Sequence, residues 1–197
     1  MADVLACAIA VAPVHAEPDP ASEQVTQALL GEPLTVEERR GGWARIRTAY
    51  DYPGWIAEAA LGGPAEGDWP AAAPRAGDPV EEARADLGAP YLWGGMSELG
   101  IDCSGLVHMA HRRLGRLVPR DADQQEDAAV EIDDAEARPG DLVTYGAARV
   151  EHATHIAFWL GDDRILHATD RDGGPHAVVE EAEPEAYRER RRRFIRL

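Results

Sequence analysis

Short apolar runs, separated by glycine, proline and aspartate, characterise residues 1–63 of the chain. Residues 43–47 alternate apolar and polar positions, as a strand with one buried face does. Residues 34–36 follow a Gly-Glu-Pro turn, and residues 50–56 contain a Tyr-Pro-Gly turn that leads into another strand. No helical period is present here, and the apolar segment 4–14 is expected to form one strand. Closely spaced short strands of this kind predict a small β-barrel.

A proline-rich stretch, residues 64–77, is expected to link this barrel to the rest of the chain. Its three prolines would stiffen such a linker. Trp69 within it is expected to pack against a domain surface. The sequence therefore predicts an all-β domain at residues 1–63 and a second domain at residues 78–197.

Two helices followed by a run of strands are predicted after the linker. Asp78 is a candidate N-cap with Pro79 in the first helical position, and Gly88 closes that helix. A second helix is expected over residues 103–114, where Gly115 ends it. The expected strands are residues 142–145, 155–160 and 164–168, with a last one near 194–195. Helices first and strands afterwards indicate an α+β domain.

Composition and charge narrow the range of partners. Of the 197 residues, 45% are hydrophobic and 28% are charged, which is typical of a globular protein. The formal net charge of -16 argues against nucleic acid, because few cations are present to neutralise phosphates. It equally disfavours an anionic lipid surface, so we expect neither a nucleic-acid nor a membrane partner. The two cysteines, Cys7 and Cys103, do not make a disulfide framework.

The apolar segment at residues 4–14 lacks the features of a secretory signal. Such a signal begins with basic residues, whereas Asp3 precedes this segment and Arg39 is the first basic side chain after it. Pro13 interrupts the segment well short of the length of a membrane span. The sequence therefore leads us to expect a cytoplasmic location.

Cys103 is the strongest candidate for a nucleophile. It lies in the first turn of a predicted helix, where the positive end of the helix dipole favours thiolate over thiol. Gly94 and Gly95 permit a tight loop near the sulfur, and Gly105 lets another segment pack closely. A buried, inert cysteine is the alternative interpretation.

A nucleophilic cysteine needs a base, and the base needs a group that orients it. His155 opens one predicted strand and His167 ends the next, with a Gly-Asp-Asp turn between them. The resulting hairpin can bring both imidazoles together. His152 and His176 are assigned to loops without a chemical role. His108 and His111 have a spacing that could mimic a metal pair, but no third ligand is nearby, so we expect neither a metal nor a cofactor.

Several motifs occur in an order that resembles a known family. They are residues 91–95 (Tyr-Leu-Trp-Gly-Gly), 102–107 (Asp-Cys-Ser-Gly-Leu-Val), 119–121, 139–142, His155, and His167 with Ala168. Together they resemble the NlpC/P60 family of cell-wall cysteine peptidases. The resemblance implies a papain-like α+β core in which Cys103 attacks, His155 is the base and His167 orients that base.

Residues 1–63 resemble a bacterial SH3-like (SH3b) domain. The motifs that carry this resemblance are residues 17–18, 30–32, 42–46 and 52–56. Family members with such a domain in front typically cut the bond between γ-D-glutamate and a diamino acid. Their substrates are muropeptides with a free N-terminal L-alanine.

The same resemblance implies a set of substrate-binding residues. Asp102 and Ser104 would hold the L-Ala-D-Glu part, and Tyr91 would lie beside the thiolate. Glu17 and Tyr52 of the SH3-like domain would reach the substrate's amino end. A carboxylate in a closed site is well suited to a free ammonium group.

Two other functions remain open at the level of sequence. One is a catalytically inactive protein that binds wall peptides through its SH3-like domain. The other is an acyltransferase or amidase on the same papain-like core, which would need an open site for its acceptor. The sequence leaves open the preferred diamino acid, diaminopimelate or lysine, the choice between wall recycling and remodelling, and the oligomeric state.

Overall fold

A computed structural model of the protein describes residues 3–65, 74–147 and 150–197. Most of the predicted linker, including Trp69, lies outside these residues. The N-terminal part is one antiparallel sheet of seven strands in the order β3-β2-β6-β5-β4-β1-β7. The strands are β1 (Asp3–Cys7), β2 (Val11–His15), β3 (Gln24–Leu29), β4 (Pro33–Arg40), β5 (Trp43–Arg47), β6 (Pro53–Ala57) and β7 (Leu61–Pro64).

Alternating burial along these strands builds the small core of the N-terminal domain. In β5, Ala44 and Ile46 are buried whereas Arg45 between them is exposed. In β2, Ala12 and Val14 are buried on the same side. Successive side chains of a strand point to opposite faces, so the pattern read from residues 43–47 is confirmed.

The apolar segment at residues 4–14 forms two strands rather than the single strand that was predicted. The chain bends at residues 8–10, where the backbone N–H of Ala8 donates to the carbonyl of Ala60 at 2.8 Å. The bend separates the partners of the two strands. β1 pairs with β4 and β7, whereas β2 pairs with β3 and β6. An uninterrupted apolar run hides such a bend because both strands contribute to the same core.

The C-terminal part combines helices with an antiparallel sheet of six strands in the order β10-β15-β11-β12-β13-β14. Its helices are α1 (Pro79–Arg84), α2 (Cys103–Arg113), α3 (Ala122–Ala128) and α4 (Glu185–Arg188). Its strands are β10 (Val130–Ile132), β11 (Leu142–Tyr145), β12 (His155–Gly161), β13 (Arg164–Asp170), β14 (His176–Ala182) and β15 (Arg191–Arg196), with a small hairpin of β8 (Met96–Ser97) and β9 (Gly100–Ile101). α2 packs on β12 and β13. The α+β prediction is confirmed.

A helix cap explains where the first helix of this domain begins. The side chain of Asp78 accepts a hydrogen bond from the N–H of Val80 at 2.9 Å, as expected of an N-cap. α1 ends at Arg84, four residues before the predicted end, and turns lead on to Gly88 with φ +85°.

Among the described residues, no helix has both the length and the hydropathy that a membrane span requires.

β14 is the most consequential element that the sequence did not predict. His176, assigned to a loop, is its first residue. β14 pairs with β13 over its full length, from Arg164 opposite Ala182 to Asp170 opposite His176. Its consecutive glutamates do not resemble a strand, and tertiary pairing overrides the weak local preference. α3, β10 and α4 were also not predicted.

Buried polar contacts join the two domains. The guanidinium of Arg120, which is 1% exposed, donates to Thr26 Oγ1 at 3.0 Å. Arg112 forms an ion pair at 3.3 Å with Glu32, whose side chain is 0% exposed. The N–H of Met96 donates to the side-chain oxygen of Gln27 at 2.9 Å. Because buried polar groups must find partners, these contacts fix the barrel against both ends of α2 and against β8.

Candidate active site

The start of α2 places Cys103 in a constrained setting. Asp102 is the N-cap, and its Oδ1 accepts a hydrogen bond from the N–H of Gly105 at 2.6 Å. A side chain at Gly105 would collide with the carbonyl oxygen of Gly95, and a side chain at Gly95 would collide with Gly100. The glycine loop therefore lies directly against the first turn of α2, and Cys103 is 7% exposed.

Asp102 is held by Arg120 and does not offer an open carboxylate. Arg120 donates to both oxygens of Asp102, at 2.9 and 2.7 Å, and the N–H of Gly94 donates to Oδ2 at 2.8 Å. Arg120 also donates to Ser104 Oγ at 2.9 Å. Asp102 lines the cavity at Cys103, but both of its carboxylate oxygens already accept hydrogen bonds from other residues of the protein. In this structure Asp102 organises the start of the helix that carries Cys103, and the substrate-holding role that the resemblance implied stays a prediction.

The hairpin of β12 and β13 brings the two predicted histidines together. Nε2 of His155 lies 2.7 Å from Nδ1 of His167. The other nitrogen of His167, Nε2, lies 3.1 Å from Oε1 of Glu181 on β14. The ring of Tyr187 from α4 stacks on His155 with centroids 4.7 Å apart and planes 2° apart. The two imidazoles are thus held from the sheet and from α4.

Glu181 and Tyr187 were not singled out from the sequence. Both lie on elements that the sequence did not predict, β14 and α4. Glu181 follows another glutamate, and no spacing distinguishes the two. Only the pairing of β14 with β13 shows which of the two carboxylates faces His167.

The pKa shifts favour an uncharged thiol and an uncharged imidazole at rest. Burial raises the pKa of the Cys103 thiol to about 12, and the carboxylate of Asp102 adds to the shift. The backbone N–H of Ile156 acts in the opposite direction, which places the thiol against the start of β12, next to His155. Burial lowers the pKa of His155 well below its ordinary value, and His167 and Arg171 contribute. Burial thus favours a resting thiol over the preformed thiolate that the helix dipole predicted.

A cleft of about 270 Å³ opens over Cys103 between the two domains. The polar residues that line it include Glu23, Tyr52, Ser104, Asp121, Asp123 and His152. The hydroxyl of Tyr52 donates to Oδ2 of Asp121 at 2.8 Å, so a residue from each domain meets at its wall. His152, assigned to a loop without a role, lines the same cleft and is exposed.

Glu17 does not line the cleft that contains Cys103. It lines an adjacent cavity with Arg40 and Trp55, and the two cavities share Val25 and Tyr52. The acidic residue of the SH3-like domain in the Cys103 cleft is Glu23, whose Oε1 accepts a hydrogen bond from Nε1 of Trp93 at 2.8 Å. Glu17 follows β2, Glu23 directly precedes β3, and both residues are exposed. The chain turn between them decides which carboxylate reaches the cleft.

Tyr91 packs against the buried cluster that includes Cys103, and its substrate-binding role stays a prediction. Burial raises the pKa of its phenol, and Cys103 contributes to the shift. Its backbone N–H donates to the carbonyl of His176 at 3.0 Å, which ties it to β14.

His108 and His111 are buried in α2, and in the described parts of the chain no group of three or more possible ligands is arranged to hold a metal ion.

The fold and the site together define a papain-like protein with a cysteine on a helix and a histidine pair on the facing sheet. The sequence profile of the NlpC/P60 family matches residues 88–191. A second profile, described as the bacterial dipeptidyl-peptidase Sh3 domain, matches residues 14–61. The chain belongs to the NlpC/P60 family and carries an SH3-like domain in front, which confirms the resemblance seen in the sequence.

Similar proteins of known name are peptidases. A gamma-D-glutamyl-L-lysine dipeptidyl-peptidase of Bacillus cereus is 32% identical over 96 residues, which is 48% of this chain and 29% of that protein. The peptidoglycan endopeptidase RipB of Mycobacterium tuberculosis is 35% identical over 107 residues, 48% of this chain and 43% of that protein. The chain thus matches less than half the length of these relatives.

A solved structure shares the two-domain arrangement. The crystal structure of an NlpC/P60 family protein from Bacillus cereus superposes with a TM-score of 0.57 and 21% sequence identity. The match covers 99% of this chain and 63% of that one. This similarity extends the shared fold over both domains.

Proposed function

We propose that this chain is a cysteine peptidase that hydrolyses the γ-D-glutamyl–diamino acid bond of peptidoglycan-derived peptides with a free N-terminal L-alanine. The observation that carries the proposal is the position of Cys103 and the His155–His167 pair beside an acidic cleft closed by Tyr52 and Asp121. The name of the B. cereus relative, a gamma-D-glutamyl-L-lysine dipeptidyl-peptidase, supports this bond type.

The first chemical step is attack of the Cys103 sulfur on the γ-glutamyl carbonyl carbon. The thiol proton moves to His155 as the carbon–sulfur bond forms. The backbone N–H groups of Cys103 and Ser104 at the start of α2 are suited to hold the developing oxyanion, because a helix offers them no internal partner and only the next N–H, that of Gly105, donates to Asp102. His155 then gives its proton to the departing amine as the carbon–nitrogen bond breaks, leaving a thioester on Cys103.

Water completes the reaction. His155 takes a proton from the water as its oxygen attacks the thioester carbonyl. The sulfur leaves and regains a proton from His155, and the L-Ala-γ-D-Glu dipeptide is released. The free enzyme again holds a neutral thiol beside a neutral imidazole, the state that the pKa shifts of Cys103 and His155 favour.

The acidic end of the cleft supports selection of a free amine. Glu23, Asp121 and Asp123 line it together with Tyr52. Burial raises the pKa of Asp121, and a bound ammonium group would stabilise its ionised form. An amide-linked alanine carries no positive charge and needs room for a further substituent, where Tyr52 and Asp121 meet. The cleft therefore favours peptides that have already been released from the sugar.

Cleavage of two matched peptides tests the proposal. L-Ala-γ-D-Glu-diaminopimelate and its N-acetylated form would each be incubated with the protein and with Cys103→Ala, and the products identified by mass spectrometry. We expect L-Ala-γ-D-Glu from the free peptide only, and none from the variant. Equal cleavage of both peptides would remove the amine selection. Cleavage of neither by folded protein would overturn the proposal in favour of a binding protein or an acyltransferase.

A lysine-containing peptide tests whether the free-amine requirement depends on the diamino acid. Both diaminopimelate and lysine peptides would be compared by kcat/KM under the same conditions. The cleft residues that we assign to substrate selection contact the alanine side of the bond. We therefore expect the free-amine requirement to hold equally for both peptides.

A further inference from the structure

A series of hydrogen-bonded side chains continues beyond the two histidines to a carboxylate. Nε2 of His155 lies 2.7 Å from Nδ1 of His167, and Nε2 of His167 lies 3.1 Å from Oε1 of Glu181. These residues lie on three neighbouring strands, β12, β13 and β14. His167 is 0% exposed, so water does not compete for its ring nitrogens. The protonation state of each of these three side chains is therefore set by the others in the series.

Arg171 keeps Glu181 in its ionised form. The guanidinium of Arg171 donates to both oxygens of Glu181, at 2.8 and 3.1 Å, which is a bidentate ion pair. The hydrogen bond from His167 and this ion pair lower the pKa of Glu181 to about 2. An ionised carboxylate can only accept hydrogen bonds. Glu181 thus has a fixed role near neutral pH.

This acceptor determines where the protons on both imidazoles lie. Nε2 of His167 must carry a proton to donate to Glu181, so Nδ1 of the neutral ring is an acceptor. Nε2 of His155, 2.7 Å away, must then donate to it. The remaining nitrogen of His155 is Nδ1, which has no hydrogen-bond partner among the residues that the structure describes. Its lone pair is left available to the Cys103 thiol.

We infer that Glu181 is a positioning residue that acts through His167 to set the tautomer of His155, so that Nδ1 is the base. The same carboxylate stabilises the imidazolium that forms when the thiol proton arrives. This inference rests on the proposed peptidase function. Nothing in the sequence distinguishes Glu181 from Glu180, and the assignment comes from the register of β14 against β13.

The other groups around the histidine pair do not supply this fixed acceptor. They are Cys103 on α2, Tyr145 on β11, Tyr187 on α4 and Arg171 after β13. Tyr187 stacks on His155, and its hydroxyl pairs with Thr169 Oγ1 at 2.9 Å rather than with either imidazole. Arg171 carries a positive charge and is paired with Glu181. Of these described neighbours, Glu181 alone can accept the His167 proton as an anion.

Glu181→Gln tests the inference, with Glu180→Gln as its matched control. Glu180 is the preceding residue of β14 and pairs instead with Arg84 and Arg164. Loss of the hydrogen-bond partner that orients a metal-bound histidine typically reduces activity about 10- to 100-fold, and we take the same range for Glu181, which orients His155 through His167. We expect kcat to fall in this range for Glu181→Gln with KM within about twofold, because no substrate contact changes. The control should remain within about twofold of the unmutated protein in both.

The pH profile separates electrostatic positioning from a merely structural effect. Glu181 raises the pKa of His167 by its hydrogen bond and charge, against the lowering effect of burial. Activity requires the neutral histidine pair, so kcat/KM declines as the pH falls through the pKa of that pair. Removing the carboxylate lowers this pKa, so the acid limb should move to lower pH in Glu181→Gln. An unmoved limb would overturn the inference.

A double-mutant cycle asks whether Glu181 acts through His167. In a His167→Ala background, Glu181→Gln should change kcat by less than about twofold, because the link to His155 is already broken. The same proportional loss in both backgrounds would show an effect that bypasses His167 and would contradict the inference.

Alkylation by iodoacetamide gives a readout without any peptide substrate. Peptide mapping would follow Cys103 separately from buried Cys7, and we expect about tenfold slower alkylation of Cys103 in Glu181→Gln than in Glu180→Gln. If the unmutated protein cleaves no peptide but the two variants differ in alkylation, the proposed substrate is wrong and the positioning role of Glu181 is supported. If peptides are cleaved but Cys103 is alkylated equally fast in both variants, the positioning role of Glu181 is wrong and the peptidase proposal is supported.

Discussion

Among single residues, Asp121 carries most of the substrate selectivity that we propose. It accepts a hydrogen bond from Tyr52 across the domain boundary and lines the cleft over Cys103. Burial raises its pKa, while the Tyr52 hydrogen bond and Arg120 favour its ionised form. A substrate ammonium would add a further favourable charge at the same point. We therefore propose that selectivity for a free amine depends on the charge of this carboxylate more than on the shape of its side chain.

Asp121→Asn tests this directly, since it keeps the shape and removes the charge. A hydrogen bond to a charged group contributes about 1.5–3 kcal/mol, so we expect KM for the free-amine peptide to rise about 10- to 100-fold. The N-acetylated peptide should be little affected. Asp127→Asn, an exposed position on the same helix, is the control and should change neither value. An equal change for both peptides would count against the amine contact.

Among the elements, those with strong local signals could be predicted from the sequence. α2 has an N-cap at Asp102 and a glycine beyond its end, and the β12–β13 hairpin has an apolar run on each side of a polar turn. These two elements carry Cys103, His155 and His167. The catalytic candidates could therefore be located without knowing the rest of the sheet.

Elements stabilised by tertiary pairing could not be predicted in the same way. β14 is acidic and becomes a strand through its full pairing with β13, and its Glu181 was missed with it. α3 did carry a local signal, the capping box of Asp121 and Gln124.

Glu23 lines the cleft in place of the predicted Glu17 for a different reason. Both flank one turn, and only the folded turn shows which of them faces Trp93.

At the scale of the whole molecule, Arg120 links the barrel to the helix that carries Cys103. It is 1% exposed and bonds Thr26 of the barrel and both Asp102 and Ser104 at the start of α2. The site therefore depends on the contact between the domains. A change at Arg120 should disturb stability and nucleophile together.

Arg120→Met should destabilise the fold strongly. Removing one partner of a buried ion pair costs about 3–5 kcal/mol, because the carboxylate of Asp102 stays buried without its cation. Urea unfolding would measure this, with exposed Arg116→Ala as a control expected to change stability by less than about 0.5 kcal/mol. Arg120→Lys keeps the charge and should retain part of the lost stability. Unchanged stability in Arg120→Met would contradict the proposed linking role.

Covalent labelling with a substrate-like electrophile tests the central claim most directly, because it reports the nucleophile and the binding cleft together. The probe is L-Ala-γ-D-Glu with a diazomethyl ketone in place of the scissile amide, and its N-acetylated form is the control. Mass spectrometry of the digested protein would locate the adduct. We predict one adduct, on Cys103, from the free-amine probe and at least tenfold slower labelling by the control. Labelling of folded protein at Cys7, at neither cysteine, or equally by both probes would contradict the account.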